Sequence, residues 1–125
     1  MQGLIEKISE LCEQNLYACY QCGKCSGGCP SVRQMDILPN EVIRLLQTRK
    51  VNDALNCSTI WICATCFTCT VRCPRGIDLA RVMESLRQIH LRKNVDHVKI
   101  REISEEQITK LPQIALVANF RKQTA

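Results

Sequence analysis

Residues 19 to 30 read CYQCGKCSGGCP, and residues 63 to 74 read CATCFTCTVRCP. A shift of 44 positions lays Cys19 on Cys63, Cys22 on Cys66, Cys25 on Cys69, Cys29 on Cys73 and Pro30 on Pro74, while the letters between them differ. A chain that repeats its cysteines and its proline but not their neighbours is held to the geometry of the cysteines themselves. Ten cysteines in 125 residues suit either a disulfide scaffold or a metal protein, so spacing and compartment have to decide.

The opening MQGLIEKISELCEQ carries Glu6, Lys7, Glu10 and Glu13 where a secretory leader needs an unbroken apolar run. The apolar run IALVA, 114 to 118, is far short of the ~18 to 20 residues that cross a bilayer. The expected location is therefore a reducing cytoplasm, where thiols do not persist as structural disulfides and metal is the natural use for them. Aromatic residues make up only 4% of the chain, which predicts a thin core that bound metal helps to organise.

C-x2-C-x2-C-x3-C-P is the bacterial iron-sulfur run. Three cysteines at spacings of three wrap the chain around one cubane, and the fourth, turned away by its proline, serves the other cluster in two-cluster proteins. This predicts two 4Fe-4S clusters with crossed ligands. Cys19, Cys22, Cys25 and Cys73 hold the first; Cys63, Cys66, Cys69 and Cys29 hold the second. Zinc is the weaker reading, because its four ligands normally come from separated pairs. Gly23, Gly27 and Gly28 are expected to take positive φ, so that backbone N–H groups point at cluster sulfurs. Those N–H groups would raise the reduction potential, and Lys24 and Arg72, which lie beside ligands, would act in the same direction through their charge. Cys12 and Cys57 stand outside the runs and read as small buried hydrophobes. His90 and His97 read as surface or packing residues on helical segments.

The remaining pattern is helical. Leu4, Ile8, Leu11 and Cys12 mark an opening helix; Leu38, Val42, Leu45 and Leu46 mark a second, with Pro39 in its first turn. Asp78 is a good N-cap for a helix whose buried face is Leu79, Val82, Met83, Leu86 and Ile89. No stretch alternates with period two, so the fold class is all-α. SEEQ, 104 to 107, has capping-box form and predicts a short helix stopping near Leu111, before Pro112. QIALVANF, 113 to 120, is apolar without a strong period. It packs on the core, docks on a partner, or is poorly ordered. The domain division is 1–94 for the cluster-binding domain and 95–125 for a C-terminal extension.

The formal charge is +5, and RKNVDHVKIR offers a basic patch. Its charges are interleaved with Asp96, Glu102, Glu105 and Glu106, and two oxidised cubanes at roughly −2 each would leave about +1. A solvated or docking face fits better than a nucleic-acid site. The sequence announces no nucleotide loop, no Ser/His/Asp constellation and no open metal site. It reads as an electron-transfer module whose catalytic chemistry lies on another chain.

The separation between the runs is longer than in small bacterial ferredoxins and contains the 38–46 helix, which resembles the alpha-helical ferredoxin fold. Within that class CYQCGKCSGGCP followed by ILPNEVIRLLQ, and IWICATCFTCTVRCPRGIDLARVMESLR, closely resemble the C subunit of heterodisulfide reductase, over about residues 15 to 93. The resemblance implies a cytoplasmic oxidoreductase complex in which this chain is not catalytic on its own. A flavin-containing A subunit delivers electrons, two 4Fe-4S clusters relay them, and a B subunit reduces the disulfide, in methanogens that of coenzyme M and coenzyme B. The family's eight ligands fall on the eight motif cysteines, and Trp61 matches as a residue packing near a cluster. The alternative is the iron-sulfur subunit of a fumarate-reductase-like or glycolate-oxidase-like flavoprotein dehydrogenase.

Overall fold

A computed structural model describes residues 2–93 and 98–121, apart from the side chain of Gln2. His97 and Asp96 lie outside the described residues. The chain divides into two compact units, Met1–Lys93 and Asn94–Ala125. The described residues contain helices and turns and no strand.

The first unit opens with α1, Gln2–Cys12. Its buried side chains are Ile5, Ile8 and Cys12, at spacings of three and four, and Leu4 packs at the margin. Leu11, expected on this face, is instead exposed. The helix turns its Ile5 edge inward, and Leu11 then falls beside the stripe.

The short α2, Lys24–Gly28, follows the first cysteines, and α3 spans Pro39–Gln47. Pro39 sits at the first helical position, where its missing N–H costs nothing. The Glu41 carboxylate reaches back to accept the Leu38 N–H at 2.8 Å. Leu38 is therefore the cap and stays exposed, while Val42, Ile43 and Leu46 form the buried face and Leu45 is partly covered. The helix stops where Arg49 takes a left-handed conformation, φ 62°.

Two short helices that the sequence pattern does not announce come next, α4 at Val51–Asn56 and α5 at Thr59–Ile62. Then come α6, Thr68–Arg72, and α7, Leu79–Leu91. Asp78 caps α7 as expected, accepting the Arg81 N–H at 3.2 Å, and its carboxylate also takes the Thr70 hydroxyl of α6 at 2.9 Å. Leu79, Val82, Met83 and Leu86 are buried, and Ile89 packs against them.

The core is aliphatic, not thin. α1 packs on α7, α3 on α4, and both α4 and α5 on α7. Ile8, Leu46 and Leu86 are fully buried, and truncating any of them to alanine should cost about 2–5 kcal/mol. Cys12 and Cys57 belong to this core, which is the place predicted for them. α2 and α6 lie against each other and contribute little to it. α2 buries only Cys25 and Ser26, and α6 buries no residue.

The second unit contains a 3-10 turn at Ile100–Glu102, then α8, Glu105–Lys110, and α9, Gln113–Arg121. α8 starts after Ser104 and ends at Leu111 before Pro112, but the Ser104 hydroxyl makes no capping bond. The segment without a clear period is helical, and none of α9 is buried. Ile114, Val117 and Phe120 are exposed along it.

Candidate metal centre

The two cysteine runs repeat in backbone as well as in spacing. Gln21 and Gly23 in the first run take left-handed φ of 63° and 77°, and Thr65 and Phe67, 44 positions on, take 55° and 62°. Each pair of left-handed steps folds the chain back on itself before a five-residue helix, α2 or α6. The Gly27 N–H closes on the Gly23 carbonyl at 2.9 Å, and the Val71 N–H on the Phe67 carbonyl at 3.1 Å. Gly23 has the predicted positive φ, whereas Gly27 and Gly28 are helical. The role of Gly28 is space: a β-carbon there would stand 2.6 Å from Cδ of Arg72. Its bare backbone leaves room for the Arg72 side chain of α6.

The turns aim N–H groups at sulfur. The backbone N–H and the side-chain amide of Gln21 each donate to Cys19 Sγ at 3.4 Å, and the Ile77 N–H donates to Cys73 Sγ at 3.4 Å.

Cys63, Cys66 and Cys69 line one recess together with Cys29 of the other run. Its walls include Met35, Pro39, Leu79 and Met83. Desolvation first, then the charge of Cys22, pushes the Tyr20 hydroxyl up. Arg72, which precedes the last cysteine of the second run, stands against Gly28 of the first. Burial raises the thiols of Cys25 and Cys69, and the hydroxyl of Thr68 lowers that of Cys66. Cys22 and Cys66, equivalent in the repeat, are both exposed.

Thiols gathered around a mostly apolar recess, with N–H donors on neighbouring sulfurs, fit an iron-sulfur cubane. They stand apart around it; among the described residues no three Cys, His, Asp or Glu side chains converge as a single ion requires.

Four supporting side chains are not announced by any local pattern in the sequence. Gln47 of α3 donates through Nε2 to the carbonyls of Leu16 and Cys19, both at 2.9 Å. Arg87 of α7 donates through Nη1 to the carbonyls of Ile60 and Cys63, at 2.9 and 3.0 Å, and through Nη2 to the Thr65 hydroxyl at 3.0 Å. Asn40 exchanges bonds with Ser26 and donates to Gln21 at 3.2 Å, fastening α2 to α3. Asp36 caps α5 from across the chain, as its carboxylate accepts the Ser58 N–H at 2.9 Å. Superimposing the starts of α3 and α7, Pro39 on Leu79, would have put Gln47 on Arg87.

Lys24 and Arg72 are exposed beside Cys25 and Cys73. Arg75 lies over the Tyr20 ring, 5.4 Å from its centroid. Trp61 is half exposed and meets His90 edge to face, with ring centroids 5.5 Å apart.

Comparison with known proteins gives this arrangement its relatives. The 4Fe-4S dicluster domain family matches residues 15–77. The iron-sulfur C subunit of the CoB-CoM heterodisulfide reductase of Methanopyrus kandleri is 35% identical over 71% of this chain and 50% of the relative. The iron-sulfur C subunit numbered 2 of the same enzyme from Methanocaldococcus jannaschii is 39% identical over 64% of this chain and 42% of the relative. The C subunit of the ferredoxin:CoB-CoM heterodisulfide reductase of Methanosarcina mazei is 32% identical over 79% and 61%. The chain thus spans about half the length of the curated relatives it matches. No helix among the described residues is long and apolar enough to cross a membrane. With its repeated cysteine turns, its all-helical frame and this match over half its length, the chain belongs to the 4Fe-4S dicluster domain family.

Proposed function

We propose that the chain is the electron-relay subunit of a heterodisulfide-reductase-type complex in the cytoplasm, taking electrons from a flavin-containing A-like subunit and passing them to a disulfide-reducing B-like subunit. One 4Fe-4S cluster is held by Cys63, Cys66, Cys69 and Cys29; the other is held by Cys19, Cys22, Cys25 and Cys73. Clusters ligated wholly by cysteine supply one-electron chemistry when bound. The observation that carries the reading is the recess in which Cys29 joins three cysteines of the other run, the crossing that two adjacent clusters need. The similarity to heterodisulfide reductase iron-sulfur proteins supports the choice of complex.

The chain's own residues set the conditions. Gln21 and Ile77 direct N–H groups at sulfur. Met35, Pro39, Leu79 and Met83 line the recess with carbon, which limits water there and strengthens local charge effects. Residues 95–125 serve as a docking extension, a role supported by the exposed Ile114, Val117 and Phe120 on α9.

Anaerobic purification from the native host, with metal, labile-sulfide and EPR analysis, tests the reading. About eight irons and eight sulfides per chain, with two interacting cubane signals, are expected, together with stoichiometric A-like and B-like partners. Zinc in place of iron, or a chain that purifies without either partner, would overturn it.

A further inference from the structure

The two halves of the repeat are supported by equivalent bonds from unlike donors. In the first half, the neutral amide of Gln47 holds the carbonyls of Leu16 and Cys19. In the second, the cationic guanidinium of Arg87 holds those of Ile60 and Cys63. A shift of 44 positions carries Leu16 onto Ile60 and Cys19 onto Cys63. The acceptors are therefore the same, and the donors differ by one full charge.

We propose that Arg87 is a positioning residue that also makes the second half of the repeat the electron-accepting end of the chain. This deepens the function proposed above and rests on the clusters assigned there. Two observations carry it. The Arg87 side chain is only 15% exposed, so water screens its charge less than it screens Lys24 or Arg72. Its Nη1 and Nη2 atoms face the backbone of Cys63 and the hydroxyl of Thr65, within one hydrogen bond of the ligand segment.

The one countercharge that contacts Arg87 among the described residues is Glu84, whose carboxylate accepts from Nε at 3.1 Å and is 53% exposed. It stands on the solvent side and offsets only part of the field. A fixed positive charge stabilises an added electron, so a cluster beside Arg87 is easier to reduce than one beside Gln47. In the resulting transfer one electron leaves the first cluster, which is oxidised, and enters the second, which is reduced. No bond forms or breaks and no proton moves.

The test is an anaerobic redox titration of the full chain, with dithionite as electron source and EPR as readout, after iron and sulfide analysis of each sample. The signal altered by Cys66→Ser identifies the second cluster. Arg87→Gln gives the second half the side chain that the first already uses. It should shift the electron about tenfold toward the first cluster, about 59 mV for a one-electron couple. Arg87→Lys should keep most of the parent value, and Glu84→Gln should move the second cluster the other way. Unmoved potentials in a fully loaded Arg87→Gln chain, or equal shifts in Arg87→Gln and Arg87→Lys, would overturn the proposal. Should Arg87→Gln lose iron, the solvent-facing Glu84→Gln decides alone: a raised second potential supports the proposal and an unchanged one overturns it. A parent chain without iron would overturn both this proposal and the cluster assignment, and the metal analysis recognises that case before any potential is read.

Discussion

The carboxylate of Asp36 is the N-terminal cap of a helix that begins at Thr59. One oxygen accepts the Thr59 N–H at 3.1 Å and the Thr59 hydroxyl at 2.8 Å, and the other accepts the Ser58 N–H at 2.9 Å. The segment that leaves the first cysteine run thereby fixes the short α5 helix that leads into the second, and with it the start of Cys63.

Removing this cap with Asp36→Ala should cost about 1–2 kcal/mol, read from urea unfolding of the loaded protein. The Ser58 N–H, with the Thr59 hydroxyl and N–H, holds the Asp36 carboxyl below the ordinary carboxylate range despite some desolvation. A lowered folded-state pKa stabilises the fold above the unfolded value of about 3.9 and ceases to as pH falls through the folded value. The penalty of the substitution should therefore be constant from about pH 8 to pH 5 and shrink only below about pH 4. A penalty that vanished near pH 6 would sink this account.

Cys29→Ser should damage the cluster held by Cys63, Cys66 and Cys69, although Cys29 belongs to the other run. Iron analysis should show partial loss, and EPR should show the first cluster retained. Loss of the first cluster with the second intact would mean that the ligands are not crossed.

Gly28→Ala brings a β-carbon against the Arg72 side chain. Alanine is otherwise the better helical residue by about 0.5–1 kcal/mol. The substitution should therefore stabilise in an Arg72→Ala background by about that amount and be less favourable in the parent chain. Equal effects in both backgrounds, measured as a double-mutant cycle, would show that Arg72 does not press on Gly28.

Anaerobic removal of iron should release α2 and α6 while leaving α3 and α7 protected. Helices of five residues do not hold themselves in water, and these two bury almost nothing but cysteine and serine. Hydrogen exchange should rise at residues 19–29 and 63–73 first. Uniform loss of protection across the first unit would instead show that the aliphatic core cannot stand without metal.

Where the information is local, the sequence was legible. The Leu79–Leu86 face follows a helical period and Asp78 directly precedes its helix, so both could be read in place. The cysteine spacing is local to each run and could be read in place, and Cys29 lines one recess with Cys63, Cys66 and Cys69. What escaped is what reaches across the chain. Gln47 bonds a carbonyl 28 positions away, Arg87 one 24 away, and Asp36 an N–H 22 away, and nothing around those residues marks their partners. Leu11 was misplaced because Leu4/Ile8/Leu11 and Ile5/Ile8/Cys12 are both valid helical stripes, and only the position of α7 chooses between them. α9 has no stripe because it buries none of its faces.

Cys22 and Cys66 are the two motif cysteines that stand at the surface, while Cys25 is buried and the other five are partly covered. In a freshly made chain not yet carrying iron, these two thiols meet dioxygen and peroxide first, and their oxidation to sulfenic acid would remove one ligand from each half. Cys12 and Cys57, sealed in the core, are poorly placed to intercept the oxidant. The interval between synthesis and loading is therefore one in which an atmosphere free of oxygen protects the two exposed thiols.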